Sequence, residues 1–168
     1  MMQQADIERA FDSLLHGTDE ERAEAIEIMG DMQHAPAVPH LSALVREADP
    51  GTRYLAAQAL AKIGDEAESA VPALLEGLRA DDIFLRMAVT NALIQIGYPS
   101  VPGLIRALFD RNKAVKRAAA KALGKIGSDR AVSALVVTLK DGDPGVRKFS
   151  EEALRRIDSP EAREALGE

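Results

Sequence analysis

The chain repeats itself. With Ile7, Val38, Val71, Val101 and Val132 in register, the spacings are 31, 33, 30 and 31 residues, and the segments that follow align without internal gaps. Self-similarity at such a period means stacked supersecondary units, each too small to bury its apolar face alone. Three residues after each start stand Ala10, Leu41, Leu74, Leu104 and Leu135, and seven after stand Leu14, Val45, Leu78, Leu108 and Leu139. Apolar positions at 0, 3 and 7 line one face of a helix. Eleven residues on come Thr18, Asp49, Asp82, Asn112 and Asp143. Their short oxygen-bearing side chains can accept from the free amides that open the next helix. Pro50 and Pro144 follow two of these caps, at a position that needs no amide hydrogen, and Thr18 with Glu21 reads as a capping box.

A second helix in each unit runs through Met29, Leu60, Leu93, Leu123 and Leu154, then through Met32, Ile63, Ile96, Ile126 and Ile157 one turn later. Ala25, Ala56, Val89 and Ala119 precede the first set by four residues, small enough to let neighbouring helices approach closely. Gly64, Gly97 and Gly127 stop three of the helices. The expected architecture is therefore five helix-turn-helix units in one curved stack. An up-down bundle of similar composition would not need a register that returns every 30 to 33 residues.

Composition agrees. Of 168 residues, 46 % are hydrophobic and only 4 % aromatic, so the apolar content is mostly helix-forming Ala and Leu with Ile and Val. No cysteine is present, which removes thiolate metal sites and thiol nucleophiles and fits a reducing compartment. The opening Met1–Asp6 lacks a basic patch followed by an apolar stretch, so no signal peptide is expected, and a cytoplasmic location follows. A net charge of -6 argues against general nucleic-acid binding, which draws affinity from phosphate neutralisation.

On these residues the chain resembles the HEAT-repeat superfamily over about residues 5–158, most clearly in VPALLEGLRADDIFLRMAVTNALIQIG and VPGLIRALFDRNKAVKRAAAKALGKIG. The first-helix proline of that family is matched by Pro39, Pro72 and Pro102, and the basic residue of its second helix by Arg22, Arg53, Arg86, Lys116 and Arg147. Its acidic residue ending the first helix is matched by Glu47, Asp110 and Asp141, with His16 and Ala80 departing. An acid-base ladder between neighbouring repeats is thus expected only where that acid is present. The short units look like the compact subtype of bilin lyase subunits. The resemblance implies an all-α, right-handed α-solenoid with a concave face lined by second helices. The repeats fall at about 5–33, 36–64, 68–97, 99–127 and 129–158 in a single domain, and 159–168 form a C-terminal cap too short to equal a first helix.

No enzymatic constellation emerges. His16, His34 and His40 are badly spaced for a metal centre, and none is followed by the Glu that the HEAT hydroxylases pair with their histidines. No GxSxG segment or phosphate loop occurs, and neither cofactor nor metal is expected. The informative features are surface ones. Residues 1–33 hold nine acids and two bases, including the stripe Glu20, Glu24, Glu27 and Asp31, whereas 98–127 hold one acid and seven bases. In that basic segment Lys113, Arg117, Lys121 and Lys125 recur every four residues. Between the two stripes Met87, Thr90, Asn91, Ile94 and Gln95 are all uncharged and read as facing away from the buried row, with Tyr54 and Gln58 at related positions one unit earlier. Interface centres are poor in charge and rich in Tyr and Met.

These residues point to a non-enzymatic scaffold that holds a segment of another protein, as a monomer or a weak end-to-end oligomer. The alternative is an accessory subunit of a lyase, handling a chromophore. The register itself is testable: Leu93→Ala should cost about 2–5 kcal/mol in denaturant unfolding, as a buried truncation does, whereas a loss below about 0.5 kcal/mol would contradict the register.

Overall fold

The computed structural model describes residues 4–168, so Met1–Gln3, at the start of the segment read for a signal peptide, lie outside the described residues. Eleven α-helices are described: α1 (Gln4–His16), α2 (Asp19–Asp31), α3 (Val38–Glu47), α4 (Pro50–Ile63), α5 (Val71–Gly77), α6 (Ile83–Ile96), α7 (Val101–Ala107), α8 (Lys113–Ile126), α9 (Val132–Thr138), α10 (Pro144–Ile157) and α11 (Pro160–Leu166). No strand occurs among the described residues. Short 3-10 turns lead into α3, α5, α7 and α9. The five cap residues act as their chemistry requires. Thr18 forms both halves of a capping box with Glu21, Asp82 Oδ1 accepts from the amides of Phe84 and Leu85, and Asp49, Asn112 and Asp143 accept from the first turns of their helices.

Contacts divide the chain into two compact units, one ending at Ile96 and the other running from Gly97 to Glu168. In the first, α1 packs on α2, α3 on α4 and α5 on α6, while α2, α4 and α6 lie side by side. In the second, α7 packs on α8, α9 on α10, and α8 lies beside α10. Met29, Leu60, Leu93, Leu123 and Leu154 are completely buried in these layers. The second helices come close because small residues stand where they touch. A Cβ on Gly30 would fall 2.8 Å from Ala59 Cα, and one on Gly124 would fall 2.6 Å from Ala153 Cα. Both are closer than non-bonded carbon atoms tolerate. Gly64 and Gly97 end α4 and α6 at φ of 75° and 79°, a region that side chains with a Cβ disfavour.

The structure corrects three expectations. Met32 is not a core residue: α2 ends at Asp31, Gln33 turns the chain away at φ 49°, and Met32 is left exposed. The C-terminal segment is not too short for a first helix, since α11 has 7 residues, as many as α5, α7 and α9, and packs against α9 and α10. The basic residues that open the second helices mostly do not reach an acid of the next repeat, and the ion pairs described between neighbouring repeats also use other side chains, as in Arg46–Glu76, Lys62–Asp31 and Arg117–Asp143. Arg22, Arg53, Arg86 and Arg147 instead donate to the backbone carbonyls of Gly17, Val45, Ala80 and Asp141, which close the preceding first helix or the turn after it. A guanidinium satisfies such orphan carbonyls and favours the negative end of the helix dipole. Of these five basic residues Lys116 is the one described reaching an acid of the next repeat, Asp141 Oδ2 at 2.6 Å.

One residue breaks the repeat chemistry inside the core. Ser100 is fully buried, and its hydroxyl has no hydrogen-bond partner among the described residues. The equivalent positions hold the buried alanines Ala37, Ala70 and Ala131. An unpaired buried hydroxyl costs about 1–3 kcal/mol of desolvation. Ser100→Ala should therefore stabilise the protein, by up to about 1 kcal/mol after the loss of contact is counted, and chemical denaturation would detect a loss of stability if this is wrong.

Candidate functional site

Within the first unit, the face formed by α4 and α6 carries Tyr54, Gln58, Met87, Asn91, Ile94 and Gln95. Met87, Asn91, Gln95 and Gln58 are exposed, and Tyr54 and Ile94 are half-buried. The Gln58 amide donates to the Tyr54 hydroxyl at 2.8 Å and so steadies the ring one turn away. Thr90 does not belong with them. It is buried, and its hydroxyl donates to the Arg86 carbonyl at 2.6 Å. The repeat already held this information, because the equivalent residues Ile26, Ala57 and Ala120 are buried too.

Sequence reasoning missed two stronger members of this face. Ile83 and Phe84, in the first turn of α6, are 57 % and 69 % exposed, and Met87 one turn on is 58 % exposed. Three large apolar side chains on adjacent turns of one helix form a patch that the described residues leave exposed. The signal was positional: the matching sites elsewhere are Asp19-Glu20, Pro50-Gly51, Lys113-Ala114 and Pro144-Gly145, so Ile83-Phe84 is the one large apolar pair among them. Phe84 stands at the register of Gly145, which lies against the Arg117 side chain of the preceding repeat, and Tyr54 stands at the register of Arg117.

In the second unit Lys113, Lys121 and Lys125 project from α8 and make no ion pair among the described residues. Arg117 is different. Its Nε and Nη2 donate to Asp143 Oδ1 and Oδ2 at 2.7 and 2.6 Å. Asp143 Oδ1 also caps α10 by accepting from the Val146 amide at 2.9 Å. The guanidinium and this amide hold the Asp143 carboxyl well below the usual aspartate range, and the same pairing raises the Arg117 pKa. Together with Lys116–Asp141, this joins α8 to the loop that opens α10. Arg117 is thus engaged within the chain, whereas the other three cations of its stripe are available.

The histidines have structural surroundings. The Phe11 ring meets His34 and His40 edge-on, with centroids 5.7 and 5.4 Å apart, while His16 is exposed in the last turn of α1. Among the described residues no three His, Cys, Asp or Glu side chains converge as metal ligands, and no helix is long and apolar enough to cross a membrane.

Helix pairs stacked through their second helices, with an arginine returning in four of the five repeats to the carbonyls that end the first helix or the turn after it, define a HEAT-type repeat protein. Residues 7–94 and 101–168 match the family described as HEAT repeats, and the chain belongs to it. It is similar to deoxyhypusine hydroxylase of Xenopus laevis, with 38 % identity over 105 residues, or 61 % of this chain, but it spans only 34 % of that protein. It is also similar to the uncharacterized phycocyanin operon protein Z of Pseudanabaena tenuis, with 29 % identity over 146 residues, covering 82 % of this chain and 72 % of the relative. Among solved structures, the complex of CpcE and CpcF of phycocyanin lyase from Nostoc sp. PCC7120 shares the fold, with a TM-score of 0.63 at 23 % identity over 99 % of this chain and 69 % of that one.

The Asp143 clamp has a pH signature. A carboxyl whose pKa is lowered by folding contributes stability above its unfolded pKa, about 3.9, and loses it as pH falls through that value toward the folded pKa. Asn at the same site retains the cap but not the charge. Asp143→Asn should therefore be less stable than the parent near neutral pH, and the difference should narrow progressively as pH falls below about 4 toward the lowered folded pKa. A gap that is constant with pH in denaturant titrations would assign the effect to something other than the ion pair.

Proposed function

We propose that this protein is a non-enzymatic interaction module that holds a segment of another protein on its second-helix face. The observation that carries the reading is the uncovered apolar patch of Ile83, Phe84 and Met87, bordered by uncharged Asn91 and Gln95 and by the Tyr54–Gln58 pair. Such a patch is costly to leave in water, and aromatic and Met anchors ringed by neutral polar groups are what protein interfaces use. Ile94 adds a half-buried margin. Lys113, Lys121 and Lys125 supply a separate charged surface that serves encounter more than affinity. Arg117 has no part in it, because its charge is spent on Asp143.

A second reading, an accessory subunit of a bilin-attaching lyase, draws support from the similarity to the phycocyanin operon protein along most of both chains. Under that reading the partner is a chromophore-bearing protein, and mixing the chain with a phycobiliprotein should shift the visible spectrum of the bilin.

The test of the main reading is Phe84→Glu together with Met87→Glu. Both side chains are exposed, so helicity and melting should stay nearly unchanged. Partners recovered by quantitative affinity capture should fall at least tenfold, and their direct binding in purified form should fall with them. Undiminished binding by the folded double variant would remove this face from the function.

A further inference from the structure

A shallow groove runs between α8 and α10. Its walls are Lys121 and Lys125 on one side and Glu152 and Arg156 on the other, and its floor is Ala120, Gly124, Ala153 and the half-buried Phe149. Lys121, Lys125 and Arg156 are exposed and enter no ion pair among the described residues, whereas Glu152 is already near Lys148, at 3.9 Å. A groove with three free cations over a floor of small side chains and one half-buried ring fits an acidic helix.

We propose that the groove between α8 and α10 docks helix α2 of a second copy of this chain. Helix α2 is acidic along its outer side: Glu20, Glu24 and Glu27 are exposed and enter no ion pair among the described residues. Half-buried Ala23 lies beside them and presents little bulk to a neighbour. The spacing corresponds. Glu20 and Glu24 are one helical turn apart, as are Lys121 and Lys125, so two helices laid side by side at about 1.5 Å rise per residue bring both pairs into line.

The charge ledger of the chain favours a second copy over a foreign acidic helix. Residues 1–96 carry 7 Lys and Arg against 17 Asp and Glu, whereas residues 97–168 carry 14 against 10. Every copy therefore brings both complementary surfaces at equal concentration. Because α2 and the groove are different surfaces, the contact is heterologous and repeats head to tail. Exposed ion pairs contribute little singly, so the association is weak and sensitive to salt.

Sedimentation velocity of the full chain over a series of concentrations tests this, at low salt and at about 0.5 M salt, where the screening length is only a few Å. Mass should rise with concentration at low salt and return to monomer at high salt. Lys121→Glu with Lys125→Glu, and separately Glu20→Lys with Glu24→Lys, should each weaken association at least tenfold. Mixing the two reversed proteins should restore a heteromeric species, since each then supplies a surface the other lacks. If circular dichroism shows that a reversal costs helicity, the Gln variants at the same positions decide. A chain that stays monomeric at all concentrations overturns the proposal, as does self-association indifferent to both reversals. Monomeric protein whose Lys121 and Lys125 signals move on adding poly-L-glutamate also overturns it, by giving the groove to an acidic segment of a different protein.

Discussion

The distance between second helices of successive repeats is the constraint from which the rest follows. In the first unit α2, α4 and α6 lie side by side, and in the second α8 lies beside α10. At two of these contacts one helix offers Gly and the other Ala, Gly30 against Ala59 and Gly124 against Ala153, and no room remains for another carbon. Close approach buries Leu60, Leu93, Leu123 and Leu154 completely, each worth roughly 1.5–3 kcal/mol of transfer free energy. The first helices then need only cover the other side, which explains why α5, α7, α9 and α11 can be as short as 7 residues.

Position by position, Glu24 of α2 stands where the later second helices carry Leu55, Ala88, Ala118 and Phe149, so the acidic stripe replaces a side chain that is apolar in every other repeat. Beyond α10, α11 covers α9 and α10, with Ser159 capping it through the Ala162 amide and Ala162 buried beneath.

The fold was legible because the repeat supplies five aligned copies of every core position, and agreement among them removes local ambiguity. Errors arose where one copy departs from the others. Met32 shares the register of Ile63 and Ile96, but its helix has no Gly to end it and stops early instead. The basic residue of the second helix was visible in every unit, yet whether it reaches an acid next door or a carbonyl behind it depends on side-chain length and on where the first helix stops. Lysine in one repeat took the first course and four arginines the second. For the candidate site, Tyr54, Met87, Asn91 and Gln95 could be placed from helical phase, whereas Ile83 and Phe84 sit directly behind the cap, where phase alone does not separate buried from exposed. Arg117 could not be distinguished from Lys121 by spacing, since only the approach of α10 shows that Asp143 has claimed it.

The most direct measurement of this account is the unfolding free energy of Gly124→Ala. In a helix interior, alanine in place of glycine ordinarily stabilises by about 0.5–1 kcal/mol. Here the added methyl would fall 2.6 Å from Ala153 Cα and must push α8 and α10 apart. The account predicts a loss of stability despite the gain in helix propensity. A variant stabilised by about 1 kcal/mol, as propensity alone dictates, would contradict the claim that close approach of the second helices holds the repeats together.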